Sequence, residues 1–169
     1  MTVSTMLSLL AQGFVTSLLI FALTLLFSLP LGLAVMFGRR SRISPLRWFV
    51  KAYIFIMRGT PLMLQLMVVF YGPKLLLGVT VPGNWRFTAV IVAFVINYAA
   101  YFAEIYRGGL ESIPRGQFEA AEVLGYTKGQ IFFRIILPQM VKRVIPSVTN
   151  EVITLVKDTS LASVIGTVE

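Results

Sequence analysis

The chain has 169 residues, of which 57% are apolar and 13% carry a charge. Soluble domains carry about 25% charged residues, so this composition excludes an ordinary water-soluble protein and places most of the chain in a bilayer. Fifteen Lys and Arg against seven Asp and Glu give a net charge of +8. These basic residues punctuate apolar runs instead of lining one soluble face, which favours contact with lipid headgroups over binding of nucleic acid.

The residue types that are missing narrow the chemistry. The sequence contains no Cys and no His, which excludes thiolate nucleophiles, disulfides and Cys-ligated metal sites, and removes the commonest general base. It also contains no phosphate-binding G-x-x-x-x-G-K-[ST] loop. We therefore expect no metal site, no cofactor site and no catalytic centre within this chain.

The first membrane span is predicted over about residues 10–37. Residues 1–38 carry no ionisable side chain, and the apolar run is long enough to cross a hydrocarbon core of about 30 Å. Pro30 lies inside the run, which membrane helices tolerate. Ser28 and Gly32 form a pair of small residues four apart, which would allow close contact with another helix.

Three further apolar regions follow along the chain. The second covers about residues 48–71 and is interrupted at 58–61, and the third covers about 87–106. The fourth covers 131–156 and is broken by Pro138, Lys142, Arg143 and Pro146, so we expect only its second half to cross the bilayer. The predicted fold class is an all-α, polytopic membrane helix bundle with four spans and a short cytoplasmic helix.

The orientation is predicted from the basic residues in the loops. Residues 39–51 contain five Lys or Arg and residues 107–134 contain four, whereas 72–86 contain two and the N-terminus none. Basic loops stay in the cytoplasm. The N-terminus is therefore predicted to lie outside.

The cytoplasmic segment 107–139 predicts a helix, a stop, a short helix, a second stop and a further helix. Gly108 and Gly109 should loosen the end of the third span, and Ser112 and Pro114 are start signals for the short helix. Gly125 is a natural C′ terminator, and Thr127 with Gln130 has capping-box spacing. A helix of about two turns is unstable alone, so it must pack either on lipid headgroups or on a partner.

A set of motifs gives this segment a family resemblance. The run Glu119-Ala120-Ala121, Leu124-Gly125 and then Leu137-Pro138-Gln139 resembles the EAA loop, here about 112–139, of bacterial ATP-binding-cassette (ABC) importer permeases. The flanking motifs resemble the polar amino acid branch, which carries histidine, glutamine, arginine or glutamate. They are 58–61 with Gln65, 104–109, 112–117 and 150–161.

The resemblance implies a type I ABC importer transmembrane domain over residues 13–169. The short helix would be the coupling helix, meeting a separate ABC ATPase subunit through Glu119, Ala120, Ala121, Leu124 and Gly125. ATP and Mg²⁺ would be bound by that ATPase, and the other partners would be a second permease subunit, identical or paralogous, and an extracytoplasmic solute-binding protein. The location implied is the bacterial cell membrane.

Permeases of this kind normally carry a fifth membrane helix after the segment that matches 160–169. The resemblance therefore leads us to expect a C-terminally incomplete domain, and an incomplete permease would not be expected to transport.

Polar residues at membrane depth are candidates for the translocation path, because they are costly there without a partner or water. Asn150 and Glu151 lie in the fourth region, and Glu151 has Ser147 and Leu155 at i±4 rather than an opposite charge. We expect Glu151 to face an aqueous cavity with Asn150 close by, although an ion pair with a basic residue of the same region is the alternative. Thr60 and Gln65 are neutral candidates.

Glu104 is better explained as an interfacial residue that pairs with Arg107 or Arg58. The alternative functions for the whole chain are a non-transporting assembly or scaffold subunit, an inactive truncated permease, or an ion channel. A channel lacks support because no carbonyl filter sequence or row of acidic residues is present.

Overall fold

The computed structural model describes residues 2–80, 82 and 84–165. The described residues form helices and their connections with no strand, which confirms the all-α class. The helices are α1 (Val3–Arg39), α2 (Ser44–Gly59), α3 (Leu62–Leu77), α4 (Trp85–Glu111), α5 (Arg115–Val123), α6 (Lys128–Gln130), a π-helix (Ile131–Ile136), α7 (Leu137–Asp158) and a 3₁₀-helix (Thr159–Ile165). The predicted domain ends at Glu169, and its last four residues lie outside the described part.

The core is built around α4, which packs against α1, α2, α3 and α7. Three of its aromatic side chains, Phe94, Tyr98 and Phe102, are fully buried. Burial of such aromatic side chains dominates the packing energy of a core. The third predicted span is therefore the central element of the bundle.

Helix α1 approaches α4 along one narrow stripe. Its buried residues recur at every fourth position: Ile20, Thr24, Ser28, Gly32 and Met36. A Cβ added to Gly32 would lie 2.8 Å from the Cβ of Phe102, closer than real Cβ atoms come. The close contact predicted from Ser28 and Gly32 is confirmed, and its partner is α4.

Within the ranges that the structure describes, two helices, α1 and α4, are long and apolar enough to cross a membrane. Helices α2 and α3 meet at a bend of 110° and count as a third span if the pair is one broken crossing. The bend lies at Thr60, which is extended (φ −122°, ψ 146°) because a residue before proline is pushed out of the helical region. The 22-residue α7 carries more charged residues than α1, α4 or the α2–α3 pair. The predicted number of four membrane spans therefore remains a prediction.

The fourth apolar region is helical across Pro138, where the sequence predicted a break. Proline lacks an N–H and its ring clashes with the carbonyl four residues earlier, which here is that of Arg134. The chain accommodates this with the π-helix Ile131–Ile136, whose wider turn relieves the clash, and α7 begins at Leu137.

Candidate functional sites

The short helix in the predicted coupling loop is α5, and it ends in a Schellman motif. Gly125 is left-handed (φ 79°). Its N–H donates to the carbonyl of Glu122 at 2.9 Å, and the N–H of Tyr126 donates to the carbonyl of Ala121 at 3.1 Å. The predicted role of Gly125 as the C′ residue is confirmed, and a residue with a Cβ would be strained there.

The following helix begins with the predicted capping box. The Thr127 hydroxyl accepts from the Gln130 N–H at 3.4 Å, and the Gln130 side chain accepts from the Thr127 N–H at 2.9 Å. Two orphan donors are satisfied in this way. The exit from α5 is therefore defined on both sides by local hydrogen bonds.

The start of the loop differs from the prediction. Helix α4 continues through Gly108 and Gly109 to Glu111, so these glycines do not loosen its end. Gly109 is instead buried against α7, where a side chain would prevent contact. Ser112 caps the end of α4, where its hydroxyl donates to the Gly109 carbonyl at 2.7 Å. Of the two predicted start signals for the short helix, only Pro114 stands at the N-terminus of α5.

The five predicted coupling residues divide between two faces. Ala121 is 2% exposed, on the side where α5 packs against the π-helix. Leu124 is 74% exposed and its neighbour Val123 is 88% exposed. Glu119, Ala120 and Gly125 are also exposed. One small residue thus anchors α5, while a mixed acidic and apolar surface remains free for a partner.

Inside the bundle, a cavity of about 390 Å³ collects polar residues from three elements. Thr60 lies at the bend between α2 and α3, and Glu151 lies on α7, so two of the four predicted path residues line one space. The other polar side chains that line it are Asn97, Tyr98, Tyr101, Thr154 and Asp158.

The pair of Tyr98 and Asp158 was not singled out from the sequence. The Tyr98 hydroxyl donates to Oδ2 of Asp158 at 2.7 Å. Asp158 lies seven residues after Glu151, two helical turns along the same face. That heptad spacing of two acids in one helix is the signal that could have identified Asp158.

Glu151 also lines a second cleft of about 730 Å³, together with Arg58, Glu104 and Arg107. It is half-buried, and no residue in the described ranges forms an ion pair with it. Asn150 is exposed and its carbonyl accepts from the Thr154 hydroxyl. Glu151 therefore has the geometry of a cavity residue, whereas Asn150 is placed apart from both cavities.

Thr60 and Gln65 form part of a hydrogen-bond network that closes the α2–α3 bend. The Gln65 amide donates to the Thr60 hydroxyl at 2.7 Å and to the Met57 carbonyl at 3.0 Å. The buried Asn97 amide donates to Gln65 Oε1 at 2.9 Å and to the same Met57 carbonyl at 3.2 Å. These bonds satisfy groups that the broken helix leaves free, which is a structural task for Gln65.

Glu104 is surrounded by arginines from three helices. Its carboxylate pairs with Arg107 at 2.9 Å, with Arg58 at 3.8 Å and with Arg39. The predicted pairing with Arg107 or Arg58 is confirmed for both residues, and Arg39 is an additional partner. The carboxylate thus ties the C-terminal ends of α1, α2 and α4 together.

Comparison with known proteins identifies the family. Residues 28–168 match the family described as binding-protein-dependent transport system inner membrane component. The chain belongs to this family. Among its relatives, the arginine transport system permease protein ArtQ of Bacillus subtilis is 38% identical over 155 residues, which cover 92% of this chain and 69% of the relative.

Two further inner membrane components of transport systems are similarly close. The octopine transport system permease protein OccM of Rhizobium radiobacter is 41% identical over 152 residues, covering 85% of this chain. The L-cystine transport system permease protein TcyB of Bacillus subtilis is 41% identical over 142 residues, covering 83% of this chain. The chain spans 62% and 58% of the lengths of these two relatives.

Solved structures agree with the family. An amino acid ABC transporter with histidines superposes with a TM-score of 0.87 at 33% identity, covering 100% of this chain and 79% of that one. The inward-facing MetNI methionine ABC transporter superposes with a TM-score of 0.68 at 23% identity, covering 98% of this chain and 78% of that one. The second likeness supports the fold, which is that of the type I ABC importer permeases.

Proposed function

We propose that this chain is the membrane-spanning permease subunit of an ATP-driven importer of polar amino acids in the bacterial cell membrane, with its N-terminus outside. Membership of the inner membrane component family supports the permease role. Relatives named for arginine, octopine and L-cystine transport support an amino acid or a derivative as the substrate. None of these names favours the alternative of a non-transporting scaffold.

The observation that carries this proposal is the surface of α5. A nine-residue helix cannot hold itself together in water, and here it presents Val123 and Leu124 to the exterior of the chain. The left-handed Gly125 and the Thr127 capping box set the direction in which α5 leaves toward α7. Such a short, rigidly mounted helix with exposed apolar residues is suited to fit a groove on a second protein.

The second protein in the proposal is an ABC ATPase subunit, which binds ATP and Mg²⁺ and hydrolyses ATP. Closure of an ATPase dimer would move α5, and the direct packing of α5 on the π-helix would pass the movement to α7. A second permease subunit completes the path, and an extracytoplasmic solute-binding protein delivers the amino acid. This chain itself contributes no catalytic group.

Within the path, Glu151 accepts the positive group of the substrate. It reaches both the 390 Å³ cavity and the 730 Å³ cleft, so it lies where a solute passing from one to the other would meet it. Asp158 adds a second carboxylate to the cavity, held by Tyr98. Thr60 lines the same cavity, while Asn150 and Gln65 are secondary candidates because neither lines it.

Co-purification tests the coupling surface. The chain, co-expressed with an ABC ATPase of an amino acid importer, should retain that ATPase through detergent purification. Leu124→Asp should lose it, because a charge would enter an apolar contact. Val3→Asp, at an equally exposed apolar residue on the opposite end of the molecule, is the matched control and should retain it. Loss in both variants, or in neither, would contradict docking through α5.

Uptake tests the path. In vesicles that contain the complete complex, Glu151→Gln should lower substrate-stimulated uptake while the ATPase remains bound. Lys74→Gln, which removes an exposed charge outside both cavities, is the control and should leave uptake unchanged. Uptake at the unmodified rate by Glu151→Gln would remove this residue from the path.

A further inference from the structure

Helix α2 presents a stripe of alternating aromatic and basic side chains. Trp48, Lys51, Phe55 and Arg58 follow one another at spacings of three, four and three residues, which places them on one face of a helix. All four are exposed, with Trp48 at 73% and Phe55 at 79%. The buried residues of α2, Val50 and Ile54, lie on the side of the helix that packs against the bundle.

A pocket of about 620 Å³ lies beside this stripe, between α2 and the ends of α1 and α4. Three cations line it, Arg39, Lys51 and Arg58, against the single carboxylate of Glu104. Glu104 is also shared with Arg107. The pocket therefore carries more positive charge than the chain neutralises.

The next acid along the chain, Glu111, pairs with Arg107 and does not line the pocket. The first acidic residue of the chain is Glu104, whereas eight Lys or Arg precede it. Arg40, Arg42 and Lys51 form no ion pair with any residue of the described ranges. This excess of positive charge is suited to an anion from outside the chain.

We infer that this pocket binds the headgroup phosphate of an anionic phospholipid, and we define it as the elbow site, formed by Arg39, Lys51 and Arg58. Arg39 is the last residue of the first span, so the site stands where hydrocarbon meets headgroups. Basic pockets between membrane helices attract anionic headgroups at that depth. Trp48 and Phe55 lie where the glycerol and upper acyl chain of such a lipid would rest.

Charge complementarity favours a lipid over a protein partner. A protein would have to bring its own acids to a face whose two aromatic residues are more than 70% exposed, whereas an anionic bilayer supplies phosphate and hydrocarbon together. The inference requires only that the chain lies in a membrane. It holds independently of what the chain transports.

Quenching of tryptophan fluorescence by brominated lipids tests the site. The chain has two tryptophans, and the difference between the chain and its Trp48→Phe variant isolates Trp48. Brominated phosphatidylglycerol should quench Trp48 more strongly than brominated phosphatidylcholine at equal content. Lys51→Gln should lower this preference about fivefold, the factor that corresponds to about 1 kcal/mol per basic residue near the surface. Lys74→Gln, an exposed lysine on α3, should leave it unchanged.

Three results would overturn the inference. They are equal quenching of Trp48 by the two lipids, an unchanged preference in Lys51→Gln, and an equal loss in Lys74→Gln. Inorganic phosphate added at the concentration of the lipid phosphate should not compete. Full competition would also overturn the inference, because the pocket would then take a free anion instead of a lipid headgroup.

Discussion

Gly109 of α4 lies directly against Val144 of α7, so that a Cβ added to Gly109 would stand 2.2 Å from Val144 Cγ1. Real Cβ atoms essentially never approach this closely. Since α4 leads into the coupling loop and α7 leaves it, this contact sets the distance between the two roots of the loop. Gly109 therefore allows α4 and α7 to pack closely and does not terminate α4.

Gly109→Ala should destabilise the chain. The added methyl group overpacks the α4–α7 contact, at a cost of about 1–3 kcal/mol, and thermal unfolding in detergent should show a lower midpoint. Gly108→Ala is the matched control, since nothing lies within 4 Å of its added Cβ, and alanine favours the helix by about 1 kcal/mol. Equal midpoints for the two variants would show that Gly109 is not a packing residue.

Gly125→Val should abolish ATP-driven uptake while membrane insertion persists. Valine resists the left-handed conformation that ends α5, so the direction between α5 and the following helix would change. Gly129→Val is the control, because Gly129 lies in open helical backbone without a positive φ. Unchanged uptake by Gly125→Val would show that the coupling geometry is not set at this residue.

Features that depend on neighbours in sequence were predictable. The Gly125 terminator and the Thr127–Gln130 capping box are each completed by hydrogen bonds within five residues, so residue type and spacing suffice to identify them. The stop at Thr60–Pro61 follows in the same way from the geometry before proline. The 110° angle between α2 and α3 could not be predicted in this way, because it depends on how both helices pack on α4.

Features that depend on distant residues were not predictable. Gly109 is indistinguishable from Gly108 in sequence, and only the position of α7 separates their roles. The hydrogen bond between Tyr98 and Asp158 joins residues 60 positions apart. Arg39 reaches Glu104 only because α1 and α4 end together. These three contacts can be recognised only once the relative positions of the helices are known.

Asn97→Leu should destabilise the α2–α3 bend. Leucine has the same branching as asparagine but is larger and cannot donate, so the hydrogen bonds to Met57 and Gln65 are lost. The Met57 carbonyl keeps the Gln65 amide as a donor, whereas Gln65 Oε1 loses its donor, at a cost of about 1–3 kcal/mol. Chemical denaturation in detergent should show the loss. Thr88→Val, on the same helix but exposed, should stay within about 0.5 kcal/mol. A neutral Asn97→Leu would mean that the network does not stabilise the bend.

The predicted orientation can be tested with single cysteines, since the chain has none of its own. An impermeant thiol reagent added outside intact cells should label Thr2→Cys, at the start of α1, and should not label Ser41→Cys, beyond its end. Labelling of both should occur once the membrane is opened. The reverse pattern in intact cells would place the N-terminus in the cytoplasm.

Energised uptake tests the central claim most directly. The chain would be reconstituted in vesicles with an ABC ATPase, a second permease subunit and a solute-binding protein. Accumulation of labelled arginine, glutamine and cystine would be followed with and without ATP. An ATP-driven permease predicts accumulation of at least one amino acid that requires ATP and the binding protein and is lost in Leu124→Asp. A fully assembled complex that hydrolyses ATP but accumulates none of the three, or that accumulates them equally without ATP, would contradict it.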